Sequence, residues 1–388
     1  MKTYLVYLLA FLFTLHITPA YFINSSFLEQ YVGENWVGYI YTVGSILALT
    51  GLFLAKKIMG RVGNYRIFLG AILTSFVSYI ILSTSLIASP SHFWTVVYIV
   101  FYITSFISHS VAFFTLDIFL ESLTKNSETG GVRGIYLTAI NFSFIVGPLI
   151  AGIMVSDVQE AGKIYALGAT LLLPVIYIAL KYFKDFEDPE YVTHHFFSTL
   201  KYVRGHKNLR NIFSATFILN LFYAVMVIYT PIFLNAKIGL SLSQIGTIMG
   251  IALVPFVLSQ SVLGKIADKK YGEKEILILG FLITGISTIA MSFSNTNSFV
   301  FWAILLFITR VGASMIEIMC DTYLFKKIDE GDVNVISLYR SMLPVGYIFA
   351  PLFASLFLIG IDITYLFVVM GIITLWGIHY ALAIRDTK

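Results

Sequence analysis

The chain has 388 residues, of which 58% are hydrophobic and only 12% are charged, with a formal net charge of +4. Soluble domains carry about 25% charged residues, so this composition, with a mean hydropathy of +0.86, excludes an ordinary soluble domain and points to a polytopic membrane protein. The single cysteine, Cys320, excludes an intrachain disulfide, and the positive charge is that of loop lysines and arginines rather than of a nucleic-acid patch.

Met1-Lys2 opens onto a long apolar run with no small-residue cleavage site, and we read that run as the first span, not a signal peptide. Twelve spans follow from hydropathy: 4–25, 35–55, 66–88, 92–117, 133–155, 162–182, 209–233, 242–263, 275–294, 298–322, 334–357 and 361–383. Most connections are short. The exception is 183–208, where Asp185, Glu187, Asp188, Pro189 and Glu190 precede an amphipathic run through Phe196, Phe197, Leu200 and Val203. That stretch reads as a linker with a surface helix between two six-helix halves, 1–182 and 209–388.

Lysine and arginine set the orientation. With the N-terminus inside, Lys56, Lys57, Arg61, Arg66, Lys265, Lys269, Lys270, Lys274, Lys326 and Lys327 all fall on the inner side, and only Lys163 and Lys237 fall outside. Trp36, Trp94 and Trp302 then begin inward-going spans as an outer aromatic belt, and both termini are cytoplasmic.

The halves repeat in order. Thr18-Pro19 is echoed by Thr230-Pro231, Val37-Gly38 by Ile245-Gly246, Lys57-Ile58 by Lys265-Ile266, and Gly63 by Gly272. Further on, Leu116-Asp117 answers Cys320-Asp321, and Tyr136 with Pro148-Leu149 answers Tyr339 with Pro351-Leu352. Six spans per copy give both copies the same orientation, hence a pseudo-two-fold axis along the membrane normal.

The tenth span carries charge in its interior. Arg310, Glu317 and Asp321 are spaced by seven and then four residues, so they form one helical stripe. A charge facing lipid at mid-membrane costs at least ~2.5 kcal/mol, so the stripe should face protein or water. Glu317 has the chemistry to carry a proton. Arg310 would bind an anion or tune Glu317. His16, in the middle of span one, is a reserve proton carrier, whereas His109 in span four reads as packing. Asn141 and Asn220 are buried amides, read together with Arg310, Glu317 and His16 as candidate substrate or proton residues.

Over nearly its whole length the chain resembles the major facilitator superfamily. Gly264-Lys-Ile-Ala-Asp268-Lys269-Lys270-Tyr271-Gly272 is similar to that family's loop signature with one extra residue. The first copy, Lys56-Lys57-Ile58-Met59-Gly60-Arg61-Val62-Gly63, has glycine where the aspartate belongs. Gly147-Pro148-Leu149-Ile150-Ala151-Gly152 is similar to the signature of drug:proton antiporters, with Ala151 in place of a glycine. The resemblance implies that spans one, four, seven and ten line a cavity. Asp117 and Asp321 end their spans at the cytoplasmic side, close to basic loops, which gives an expected inner gate of Lys57, Arg61, Arg66, Asp117, Asp268, Lys269, Asp321 and Arg340. In this scheme Asp117 pairs with the 56–66 loop, Asp321 with Lys269 or Lys270, and Arg340 with Asp268. Gly147, Pro148 and Gly152 allow close packing and a bend in span five.

The expected function is secondary transport of a small molecule by alternating access, proton-coupled and exporter-like, by a monomer in a bacterial-type plasma membrane. The alternatives are a proton-coupled uptake permease for a sugar-like nutrient and, from another class, a sensor or scaffold on the same fold. No metal-ligand cluster, nucleotide loop or nucleophile triad is present in the sequence, so neither an enzyme nor a cofactor other than the coupling proton is expected, and the partners are substrate and lipid bilayer.

Overall fold

The computed structural model describes residues 3–88, 91–124, 129–155, 158–191, 196–267, 272–328, 332–358 and 362–387, and these are helical almost throughout. The first repeat supplies α1 (Thr3–Val32), α2 (Glu34–Val62), α3 (Asn64–Ser83), α4 (His92–Glu121), α5 (Thr129–Met154) and α6 (Ala161–Tyr182). The short α7 (Phe196–Gly205) lies in the connection between repeats. The second repeat supplies α8 (Lys207–Ile232), α9 (Leu242–Ile266), α10 (Lys274–Ser292), α11 (Phe299–Phe325), α12 (Val333–Arg340), α13 (Met342–Leu358) and α14 (Ile363–Ala383).

Among the described residues, 11 helices are long and apolar enough to cross a membrane. The expected span 334–357 is not one continuous helix, because it breaks at Ser341 between α12 and α13. Pro344 gives the reason: a proline ring disfavours a helical carbonyl four residues back, here that of Arg340, and it has no N–H to continue the ladder.

The chain forms two compact units: Met1–Thr124 with Ala139–His194 and Glu330–Pro344, and Lys125–Thr138 with His195–Asp329 and Val345–Lys388. The division follows the sequence repeat except at two places. The start of α5 belongs to the second unit, and α12 with the first residues of α13 belongs to the first.

The first unit is held by an aromatic core of Phe27, Tyr79, Tyr98, Tyr102 and Tyr165 from α1, α3, α4 and α6. Phe27 and Tyr165 meet with ring centroids 4.9 Å apart, and the Tyr165 hydroxyl donates to Asn24 Oδ1 at 2.9 Å. The second unit uses glycine instead. A Cβ at Gly312 would lie 2.6 Å from Gly280 O, and one at Gly371 would lie 2.8 Å from Gly285 O. So α10 packs backbone-close against α11 and α14, the small-residue contact that dispersion favours in a bilayer. Trp302, expected in the outer belt, is fully buried instead, with Nε1 donating to Thr296 O at 2.7 Å.

The echoed glycines have a shared cause. Gly63 and Gly272 sit at φ +84° and +78°, where a Cβ is strained. Each lies just before a helix whose first amides are capped by an aspartate from far along the chain. Asp188 Oδ1 accepts from Asn64 N at 2.7 Å, and Asp386 Oδ1 accepts from Glu273 N at 3.0 Å and Lys274 N at 2.9 Å. A side chain at either glycine would meet that carboxylate. The acidic charge also suits the positive end of the helix.

Candidate functional site

α11 supplies the charged stripe. Arg310 is only 5% exposed, yet it makes no salt bridge and no hydrogen bond to a carbonyl among the described residues; the carboxylate that acts on its charge is Glu317. Its guanidinium lies 5.4 Å from the ring centre of Phe222 and 5.7 Å from that of Tyr223, both on α8. Two π faces stabilise the cation while leaving its N–H fork for an anion.

Glu317, half-buried about two turns further along α11, accepts a hydrogen bond from the side-chain amide of Gln260 on α9. One residue before Gln260, Ser259 Oγ lies 2.8 Å from Ser314 Oγ. The α9–α11 seam therefore has a polar strip beside Glu317, in helices otherwise built of apolar side chains.

The two echoed aspartates are both buried and both held by arginine. In the first unit, Asp117 is fully buried, and Arg340 donates from Nη2 to its Oδ1 at 2.8 Å and from Nε to its Oδ2. In the second unit, Arg133 Nη1 lies 3.8 Å from Asp321 Oδ2. The Arg133 guanidinium is completely buried and sits 3.2 Å from the ring centre of Phe325. The local backbone makes room for it. A Cβ at Gly134 would lie 2.7 Å from Gln260 O, and one at Gly264 would collide with Gly130 O, so α5 and α9 touch backbone to backbone here.

The partner of Asp117 thus differs from the expected one. Lys57, Arg61 and Arg66 are exposed and hold no ion pair among the described residues, although Asn64 Nδ2 from the same loop does reach Thr115 O at 3.0 Å. A fully buried carboxylate needs a donor that enters the interior with it, and the loop cations stay in solvent. Arg61 and Arg66 instead line a cavity of about 570 Å³ with Lys184, Asp188 and Glu190. Asp268, Lys269 and Lys270 lie outside the described residues, and with them the pairs expected with Asp321 and Arg340. Arg133 is among the described partners of Asp321.

His16 is fully buried in the first unit, with Nε2 3.3 Å from His109 Nε2 and Nδ1 against Phe13 O. Asn220 Nδ2 donates to Thr216 O within its own helix at 2.9 Å. Asn141 is half-buried in α5. Gly147 abuts Thr18, whose Oγ1 donates to Ser143 O at 2.9 Å, so α5 and α1 approach closely there. Pro148 lies within α5. Gly152 faces open space, where a Cβ would meet nothing within 4 Å.

Sequence reasoning missed Arg133, Gln260, Asp188 and Asp386, and it gave His109 to packing alone. A signal existed for Arg133. It stands one turn before Tyr136, and Arg340 adjoins the echoed Tyr339, so each copy has an arginine beside the same tyrosine. Gln260 has no such signal, because a lone amide in an apolar run resembles any packing residue.

The comparisons match this architecture. The sequence model of the Major Facilitator Superfamily matches residues 3–269 and 212–388. No curated protein matches the chain in sequence. Among solved structures it is similar to the MFS proton:xylose symporter XylE bound to 6-bromo-6-deoxy-D-glucose, with TM-score 0.74 and 13% identity, covering 100% of this chain and 96% of that one. A bacterial homologue of the iron transporter ferroportin in an outward-facing state gives TM-score 0.79 and 12% identity, covering 98% and 99%. The human organic anion transporter MFSD10 (TETRAN) gives TM-score 0.73 and 14% identity, covering 98% and 100%. With two helical repeats, buried charge within the spans and a family match across the chain, this protein belongs to the major facilitator superfamily, a family of multi-pass membrane transporters and not of enzymes.

Proposed function

We propose that the chain is a proton-coupled exporter, which releases an amphiphilic small molecule outward in exchange for protons. It would act as a monomer in a bacterial-type plasma membrane with both termini cytoplasmic. The observation that carries the reading is the pair Arg310 and Glu317 on one face of α11. Ionisable groups inside a membrane span are costly and default to substrate or ion handling. The arginine is packed on rings and makes no salt bridge among the described residues, although Glu317 acts on its charge, and the carboxyl is held by an amide. The direction is supported by Gly147-Pro148-Leu149-Ile150-Ala151-Gly152 and by the close approach of Gly147 to Thr18. The buried Asp117–Arg340 and Asp321–Arg133 pairs serve as inner-gate contacts that break and reform as the cavity changes sides.

A second reading is favoured by Arg310 itself. A substrate anion on its fork would make a proton on Glu317 more welcome by like-charge repulsion, so anion and proton would bind together and be taken up together. Proteoliposomes loaded with a pH dye separate the two. Adding an exchanged compound outside should make the lumen more alkaline, and adding a co-transported one should make it more acidic. If no compound in a broad panel moves both itself and the pH, proton coupling is lost from the proposal.

A further inference from the structure

The first unit holds a second titratable centre, distinct from the α11 stripe. His16 on α1 and His109 on α4 are 0% and 5% exposed, and their Nε2 atoms are 3.3 Å apart. Hydrogen-bond logic fixes the tautomers. His16 Nδ1 faces the carbonyl of Phe13, which only accepts, so the His16 proton is on Nδ1. His16 Nε2 is then a lone pair, and His109 Nε2 must carry the hydrogen that joins the rings. That leaves His109 Nδ1 as a bare, buried lone pair with no hydrogen-bond partner among the described residues. In this neutral pair every nitrogen but one is committed.

We propose that His109 Nδ1 is a proton-binding site and that the two imidazoles take up one proton as a unit. The proton adds to the Nδ1 lone pair, no bond to carbon breaks, and the product is a His109 imidazolium. Its Nε2–H then donates to His16 Nε2 as a charge-assisted hydrogen bond. A second proton would have to enter at His16 Nε2 and would set two N–H groups head to head, so one proton excludes the next.

The pair is enclosed by aromatic rings. Phe13 packs on both rings, at 4.7 Å from His16 and 5.9 Å from His109 between centroids, and Tyr79 does so at 5.1 Å and 5.8 Å. These contacts are tilted or edge-on, and they enclose the pair without any carboxylate beside it among the described residues. The titratable groups facing the pair are Tyr79 from α3 and, behind it, Tyr165 from α6, their centroids 5.5 Å apart. From α5 the approach is by Ser143 and Gly147 to α1, both uncharged. From α2 it is by Gly51, which faces Ile107 and Val111 on α4. On α4 itself the next charge is Asp117, about 12 Å further along the helix and engaged by Arg340 from α12.

This inference goes beyond the coupling carboxylate, and it is tested without transport. The full-length protein, labelled with 15N-histidine in lipid nanodiscs, is titrated from pH 9 to pH 5 by NMR, with His16→Gln and His109→Gln assigning two of the seven histidines. The wild-type rings should begin as an Nδ1–H and an Nε2–H tautomer. They should take up one proton together, at His109, and coupling across the Nε2–Nε2 bond should persist. His16→Gln should move the His109 midpoint at least tenfold in proton concentration. Two rings that stay neutral to pH 5, or that gain two protons independently, would overturn the proposal. If either result came from protein that still drives substrate with a pH gradient, coupling would stand and the imidazole site alone would fall.

Discussion

Asp117 and Arg340 stand 223 residues apart in sequence and meet as a two-pronged ion pair within one compact unit. The carboxylate is fully buried and the guanidinium about a quarter exposed. Removing one partner of such a pair strands the other, at a cost on the order of 3 kcal/mol. Asp117→Asn and Arg340→Gln should therefore each lower the midpoint of thermal unfolding in detergent. The exchanged double variant Asp117→Arg/Arg340→Asp should recover a substantial part of the loss. A double variant no more stable than the worse single one would show that the two side chains do not act on each other directly.

Arg133 tests a different balance of forces. Its guanidinium is completely buried, over the ring of Phe325 and 3.8 Å from Asp321. Arg133→Lys keeps the charge but loses the guanidinium–ring contact and the fork, so it should destabilise by about 1–2 kcal/mol. Arg133→Leu fits the apolar surroundings but leaves the carboxylate without this cation, and should cost more. Pairing Arg133→Leu with Asp321→Asn should return most of the difference. If Lys and Leu were equally harmful, the ring contact rather than the charge would dominate. Thermal-shift measurements on the four proteins decide it.

The helix caps contributed by Asp188 and Asp386 give a local prediction. Loss of a capping side chain costs about 1 kcal/mol. Asp188→Ala should speed hydrogen exchange at the first-turn amides of α3, beginning with Asn64, and leave α10 unchanged. Asp386→Ala should do the converse at Glu273 and Lys274. Gly63→Ala should be worse than the loss of its cap, because it adds strain at positive φ to a collision with Asp188. Equal exchange at Asn64 in wild type and Asp188→Ala would remove the capping assignment.

Much of this fold is written in patterns that a sequence displays. Hydropathy alone marks the spans, and the paired motifs at Gly63 and Gly272, or at Asp117 and Asp321, mark the duplication. The partners are less legible. A buried carboxylate announces that it needs a cation, but distance along the chain does not say which one. The basic residues of the 56–66 connection are the expected partners of Asp117, and burial selects Arg340 instead. The break at Ser341 could have been read from Pro344, but the hydropathy of the stretch stays high across it. The His16–His109 contact depends on how α1 rotates against α4, which no single-helix periodicity contains.

Glu317 provides the sharpest functional prediction. It is one carboxylate within a span, about 10 Å along the helix from Arg310 and held by the Gln260 amide. A group that couples proton movement must be able to exist in both charge states as the cavity changes sides, and Glu317→Gln fixes it in a neutral form of the same shape. In proteoliposomes this variant should lose accumulation driven by a pH gradient, at least tenfold, while retaining exchange of substrate against substrate at equilibrium. Exchange needs binding and alternating access but no net proton transfer. Arg310→Gln should behave differently, weakening both modes together if the guanidinium holds the substrate. A Glu317→Gln protein that still accumulates substrate at the wild-type level would remove Glu317 from coupling and leave it as a structural partner of Gln260. A protein that loses exchange as well would assign Glu317 to substrate binding or to the movement itself.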